Sequence, residues 1–319
     1  MENLESPVKQ ITFLGTGGKL FGIYITNLFL TVLTLGLYYP WAKASVLKYI
    51  YQETELEGSR FTFHGTGKEM FMGFIKAVGI VVVVYALFMA ALYSQNAFIT
   101  FLGVLLYFAA LAVVVPVAIH GSLKYRMSRT SWRGIHFGYR GELKSLIGVF
   151  IKGFLFTVLS LGIYGPWFTI SLRRYLIGNI RFGNVEFEYI GDGTDLFLLT
   201  IKGYFLTMIT AGIYSFWFAK DLINYYVDNI RLKQDGREIQ LQSYLTGGEY
   251  FRLAFINSLI IVFTFGLGAP WATVRTLKIL YSNIFIEGEL DLDNLIQTEK
   301  AYKDATGEDV ADMLDIGII

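Results

Sequence analysis

The sequence predicts a mainly α-helical integral membrane protein of about six transmembrane helices, built from five internal repeats with short β segments between the helices. Three observations carry that expectation. Apolar residues make up 54% of the chain and charged residues 17%, against roughly 45–50% and about 25% in soluble domains. Six segments approach or exceed the length of about 20 mainly apolar residues that a membrane helix needs. One pattern of alternating apolar residues, a glycine turn and an apolar stretch recurs five times.

The six candidate spans run from Phe21 to Tyr39, Met70 to Tyr93, Phe98 to Ile119, Leu146 to Trp167, Leu196 to Phe218 and Phe251 to Trp271. Only Ser94, Gln95, Asn96 and Ala97 separate the second from the third, so these two form a tight helical hairpin. If all six cross, the connections divide between two faces. One face holds Lys43, Lys48, Arg60 and Lys68, then Lys124, Arg126, Arg129, Arg133, Arg140 and Lys144, then Lys220, Arg231, Lys233 and Arg237. Lys9, Lys19, Arg173, Arg174, Arg181, Arg275 and Lys278 fall on the other. The positive-inside rule makes the first face cytoplasmic and puts both termini across the membrane from it. A competing arrangement has re-entrant segments and every polar connection on one face. The N-terminus lacks the short apolar run and small-residue site of a cleavable signal.

The repeats start near residues 11, 61, 137, 187 and 241, and divide the chain into a membrane domain, 1–286, and an acidic soluble tail, 287–319. Each opens on a period-two stretch such as Phe61-x-Phe63, which fits a half-buried strand. A glycine turn leads into the span. Four spans end in a related signature: Leu35-Gly36-Leu37-Tyr38-Tyr39-Pro40-Trp41, Leu161-Gly162-Ile163-Tyr164-Gly165-Pro166-Trp167, Ala211-Gly212-Ile213-Tyr214-Ser215-Phe216-Trp217 and Phe265-Gly266-Leu267-Gly268-Ala269-Pro270-Trp271. Pro40, Pro166 and Pro270 are expected to break the helix near the interface, and Trp41, Trp167, Trp217 and Trp271 to sit at headgroup depth. The second repeat keeps Pro116 but carries an extra hydrophobic insertion. An amphipathic helix follows the break, with Tyr49, Tyr125, Tyr175, Tyr225 or Ile279 at one position and Lys48, Lys124, Arg174, Asn224 or Lys278 just before it. That cationic position suits snorkelling to lipid phosphate. Asn179, Asn229 and Asn283 recur near its end, where asparagine suits a left-handed cap.

The stretch from Leu33 to Phe71, with TLGLYYPWAKASVLKYIYQETELEGSRFTFHGTGKEMF, resembles the YjgN-like family of bacterial inner-membrane proteins. The resemblance extends over Phe13 to Ile286 and implies a multi-pass protein of the bacterial inner membrane. The family is a domain of unknown function, so the resemblance transfers no catalytic or ligand residue. Phe216 stands where the other signatures have proline, and the acidic tail lies outside the matching region.

Chemistry-bearing motifs point away from catalysis. Gly15-Thr16-Gly17-Gly18-Lys19 lacks the Walker spacing and the hydroxyl residue after its lysine, so it reads as a structural turn. His64, His120 and His136 are scattered without metal-ligand spacing, and there is no cysteine. No nucleophile elbow or kinase set is present. The chain is therefore expected to be no enzyme and to need no cofactor or metal. A net charge of +1 gives no reason to expect nucleic acid. Lys76, Lys152 and Lys202 align early in three spans, where a charge requires a partner, a wet cavity or a route to the interface. They read as interface anchors or as one shared pocket for an anion. Glu69 and Asp195 stand seven residues before Lys76 and Lys202 and read as caps. The expected partners are membrane lipids, with an anionic lipid or small solute as candidate ligand and protein partners open. Two roles remain: a non-catalytic module binding lipid, solute or protein, and a transporter or channel using the lysines.

Overall fold

The structure, a computed structural model, describes residues 8–299. Along them the order strand, helix, helix, strand occurs five times in succession. The first unit is β1 (Lys9–Phe13), α1 (Gly17–Leu33), α2 (Tyr39–Gln52) and β2 (Thr54–Leu56). Next come β3 (Ser59–Phe63), α3 (Gly67–Tyr93), α4 (Ala97–Ser128) and β4 (Thr130–Trp132), then β5 (Ile135–Tyr139), α5 (Leu143–Leu159), α6 (Gly165–Gly178) and β6 (Ile180–Phe182). The fourth unit is β7 (Val185–Tyr189), α7 (Gly193–Ile209), α8 (Ser215–Asp228) and β8 (Ile230–Gln234), and the fifth β9 (Arg237–Ser243), α9 (Gly247–Phe263), α10 (Ala269–Ser282) and β10 (Ile284–Glu287).

The ten strands close into one antiparallel barrel, because β1 pairs with both β2 and β10. Period-two alternation decides what fills it. Ile11 is opposite Leu56, Phe61 opposite Trp132, Phe137 opposite Phe182, Phe187 opposite Leu232 and Leu241 opposite Ile286. All ten belong to one apolar core, in which the rings of Phe137 and Phe182 stack at 4.2 Å. The alternate positions carry charge, with Arg181 paired to Glu186 and Lys233 to Glu188. The lumen is thus a packed interior, with its polar face outward. Each helix touches the next in sequence and α10 touches α1, so the helices also close on themselves.

This architecture overturns the expectation of about six transmembrane helices joined by short β segments. The β segments are one closed barrel. Among the described residues only α3 and α4, at 27 and 32 residues, are long and apolar enough to cross a membrane, and 6% of the most apolar window of each is buried. The other four candidate spans reverse direction inside themselves. In each a helix of 17 residues, about 25 Å long and short of a hydrocarbon core of about 30 Å, ends in a tight turn, and a helix of 14 residues returns. Pro40, Pro166 and Pro270 open those returning helices, where a missing N–H costs nothing, and so break none. The division of Lys and Arg between two faces falls with the spans, since residues assigned to opposite faces, such as Arg231 and Arg181, lie in strands of one barrel.

Of the acidic tail, residues 287–299 are described and 300–319 lie outside the described residues. Leu290 and Leu292 are buried in the barrel core. Gln234 exchanges two hydrogen bonds of 2.8 Å with the backbone of Asp291. Thr298 donates to the Gly183 carbonyl at 2.6 Å, and Arg133 and Arg140 each pair at 2.8 Å with Asp293 and Glu299. The segment closes the rim formed by the strand–strand turns.

Candidate functional site

The turns that end the four shorter helical hairpins carry the most exposed large apolar side chains among the described residues. Leu35 and Leu161 are 94% exposed and Phe265 96%. Each has a positive φ near 50° and precedes a glycine with φ near 90°, as does Ala211. For a side chain larger than hydrogen that region costs roughly 1–2 kcal/mol. Their backbone donors are satisfied internally. Leu35 and Gly36 donate to the carbonyls of Val32 and Thr31, and Leu161 and Gly162 to those of Val158 and Thr157. Beside each turn a hydroxyl on Thr34, Ser160, Thr210 or Thr264 accepts from the backbone N–H of Tyr38, Tyr164, Tyr214 or Gly268. Apolar side chains outward and donors turned inward are what hydrocarbon demands of a non-helical backbone. The repeated Thr or Ser two residues before Gly was the available sequence signal, and it was masked by the hydropathy around it.

The repeated aromatic positions serve the joints of the helix ring. Trp271, Trp41, Trp167 and Trp217 pack against Gly17, Gly67, Gly193 and Gly247, the first residues of α1, α3, α7 and α9. The hydroxyl of Tyr49 accepts from the N–H of Thr16 and donates to its carbonyl, and Tyr175 and Tyr225 do the same with the backbone of Glu142 and Asp192, whereas the Tyr125 hydroxyl lies 3.0 Å from the Glu69 carboxylate and 3.4 Å from the Thr66 carbonyl. Asn179, Asn229 and Asn283 donate to a carbonyl four residues back, with φ between −95° and −107°. They are caps, but not left-handed ones.

The candidate cations separate into different surroundings. Arg174 donates to the Gly191 carbonyl at 3.0 Å and Asn224 to Leu245 at 3.0 Å, so this position fastens one unit to the glycine turn of the next. Lys48 and Lys124 are half-buried and Lys278 is exposed. Lys76, Lys152 and Lys202 lie on three different helices, α3, α5 and α7. Lys202 lines a cavity with Asp221, Asn224 and Asp228 that no residue of α3 or α5 reaches. Glu69 completes a capping box with Thr66, and also meets Arg129 at 3.2 Å and the Tyr125 hydroxyl at 3.0 Å. In α7 the cap is Asp192, whose carboxylate accepts from the N–H of Thr194 and Asp195.

Strand pairing corrects the expectation that the histidines are scattered. With β4 between β3 and β5, the rings of His64 and His136 lie 5.6 Å apart, and Ser131 bonds the His64 ring at 2.8 Å. Burial first, then His64 and Arg129, hold His136 below the usual histidine value. Among the described residues no group of three or more His, Asp or Glu is placed to hold a metal.

A second cavity, of about 120 Å³, opens between α2, α3 and α4, with Lys43, Arg126 and Ser122 among its lining residues and Pro40, Met70 and Phe74 supplying apolar wall.

A packed barrel carrying a ring of helical hairpins, with apolar turns outward and one hairpin of membrane-crossing length, defines a membrane protein whose barrel lumen is filled by side chains. The chain belongs to the family described as bacterial protein of unknown function (DUF898), which it matches over residues 8–198 and 218–313. It is similar to the inner membrane protein YjgN of Escherichia coli strain K12, 28% identical over 173 residues, and to that of Salmonella typhimurium strain LT2, 29% identical over 172. Each alignment covers 54% of this chain and 41% of the relative, so the chain spans about two-fifths of their length. With these relatives it is a protein of the bacterial inner membrane. No solved structure matches it.

Proposed function

We propose that the chain is a non-catalytic membrane module that binds lipid, with its barrel in the cytoplasm and its hairpin turns in the hydrocarbon. The exposed turns at Leu35, Leu161 and Phe265 carry the reading. Burying a side chain of that size is worth roughly 1.5–3 kcal/mol, and their donors need no water. Orientation follows from charge. The far turns, including residues 93–97 between α3 and α4, contain no Lys or Arg, whereas the barrel and the helix ends beside it carry many. The positive-inside rule then favours a cytoplasmic barrel, the reverse of the orientation expected from six spans.

Transport is the second reading, favoured by the closed circuit of helices from α1 to α10. The side chains of Phe61, Phe137, Phe182 and Trp132 filling the barrel argue against a path through it. Reconstitution decides between the two. Proteoliposomes loaded with a small fluorescent anion or cation are expected to retain it as well as empty vesicles do, while the purified protein co-isolates with lipid. Dye release that scales with protein content would replace the module by a channel.

A further inference from the structure

The cavity between α2, α3 and α4 has the makings of an anion site. Lys43 and Arg126 line it from two helices, and neither has a carboxylate within ion-pair distance among the described residues. The acid that also lines it, Glu69, is already engaged by Arg129, the Tyr125 hydroxyl and the N–H of Thr66. Two cations are thus held together around about 120 Å³ of space, several times what one ordered water needs. Burial first, and the neighbouring Arg126 second, keep the Lys43 ammonium below the usual lysine range, the direction expected where a countercharge is wanted. Position adds the chemistry of the occupant. The stretches of the two membrane-crossing helices free of Asp, Glu, Lys, Arg and His are Ala77 to Tyr93 and Ala97 to Ile119. The cavity lies just outside both, against Met70 and Phe74 at the start of α3 and Ser122 and Arg126 near the end of α4. That is headgroup depth on the barrel side, with an apolar wall running toward the hydrocarbon.

We propose that this cavity binds a phosphate group through Lys43 and Arg126, and that in the membrane the phosphate belongs to an anionic phospholipid. A guanidinium matches two phosphate oxygens at once, and an ammonium adds a point charge. The proposal rests on the lipid-binding reading above and gives it a site.

Native mass spectrometry of the detergent-purified full chain tests it, with phosphatidylglycerol, phosphatidylcholine and inorganic phosphate titrated separately. Wild type is expected to retain one phosphatidylglycerol more tightly than phosphatidylcholine. Lys43→Gln and Arg126→Gln should each weaken that retention about tenfold, the scale of one charge-assisted hydrogen bond. Lys43→Arg, which keeps the charge, should retain the lipid, and equal thermal midpoints would show the variants folded. Lys202→Gln, in the other cavity, should change nothing. Equal phosphatidylglycerol retention by wild type and the folded double Gln variant would overturn the site while leaving lipid binding standing. Inorganic phosphate held at least as tightly as phosphatidylglycerol would overturn the lipid as its source. Loss of every lipid from wild type would overturn the module reading and the proposal with it.

Discussion

The indole of Trp41 occupies the space that a Cβ on Gly67 would need, so the start of α3 is seated on the start of α2. The same fit joins Trp167 to Gly193, Trp217 to Gly247 and Trp271 to Gly17, the last of these closing the ring. At the fifth joint both partners differ. Val117 follows Pro116 where the others have tryptophan, and α5 begins with Leu143 where the others begin with glycine. The tryptophan and the glycine are thus both missing from this joint.

Gly67→Ala is therefore expected to destabilise the chain by about 1–3 kcal/mol, the range for overpacking a filled site. Adding Trp41→Val should recover part of the loss, because it removes the ring that the new methyl group strikes but leaves the Trp41 Cα 2.8 Å from it. Thermal unfolding in detergent reads both. A Gly67→Ala protein as stable as wild type would mean that the indole swings away freely and the joint is not a constraint.

The absence of cysteine makes the topology directly measurable. Single cysteines at Glu57, Asn184 and Asp235, in three of the strand–strand turns, should all react with a membrane-impermeant maleimide from the cytoplasmic side. Ser94→Cys, between the two long helices, should react only from the other side, and cysteines at Leu35, Leu161 and Phe265 from neither. Labelling of Glu57→Cys and Asn184→Cys from opposite sides is incompatible with one barrel.

Part of this arrangement is written locally in the sequence. The alternations at Ile11 and Phe13, Phe61 and Phe63, and Phe187 and Tyr189 fall in β1, β3 and β7, because strand periodicity is a property of adjacent residues. Three features are not local. The pairing of β1 with β10 joins residues near opposite ends of the chain, Lys9 and Ile286. Leu35 and Gly36 reverse the chain within an apolar run, so a hydropathy window adds α1, the turn and the start of α2 into one apparent span. His64 and His136 meet only because the whole α3–α4 hairpin is excursion, leaving β4 to sit between their strands. Of the candidate site, the cationic and aromatic positions were visible, but their partners were not. Arg174 and the tryptophans turn out to join successive units, while Lys43 and Arg126, which share a cavity, occupy no common position in the pattern.

Acid should loosen the chain at His136. Its ring lies against His64, its Nδ1 is buried without a hydrogen-bond partner among the described residues, and its folded pKa lies below the usual 6.5. The unfolded chain then binds the proton more readily than the folded one. The contribution of neutral His136 is full above 6.5 and is lost as pH falls from there toward the depressed folded value. The thermal midpoint should drop between about pH 7 and about pH 5, and His136→Gln should flatten that drop. An equally steep drop in a folded His136→Gln protein would assign the effect to other groups.

The strap formed by residues 288–299 sets apolar burial against surface charge within a few positions. Leu290 and Leu292 are each 5% exposed, in the core with Trp132, Phe182 and Ile239. Beside them Arg237 meets Glu289 at 3.3 Å and Arg133 meets Asp293 at 2.8 Å, with both acids largely exposed. Exposed pairs of this kind contribute roughly 0–1 kcal/mol, because water solvates either partner once the other is gone. Truncating a buried leucine costs about 2–5 kcal/mol, since the removed methyl groups leave a cavity that the barrel wall closes only in part. Leu290→Ala and Leu292→Ala should accordingly lower the thermal midpoint far more than Glu289→Gln or Asp293→Asn, and raised salt should reproduce only the smaller effect. Hydrogen exchange localises the loss: in the leucine variants the amides of β8, which ends on Gln234 and its bonds to Asp291, and of β9 beside it should lose protection first. If the charge variants prove the more damaging and the leucine variants keep full protection, the strap is held at the rim by its ion pairs, and the barrel core is complete without it.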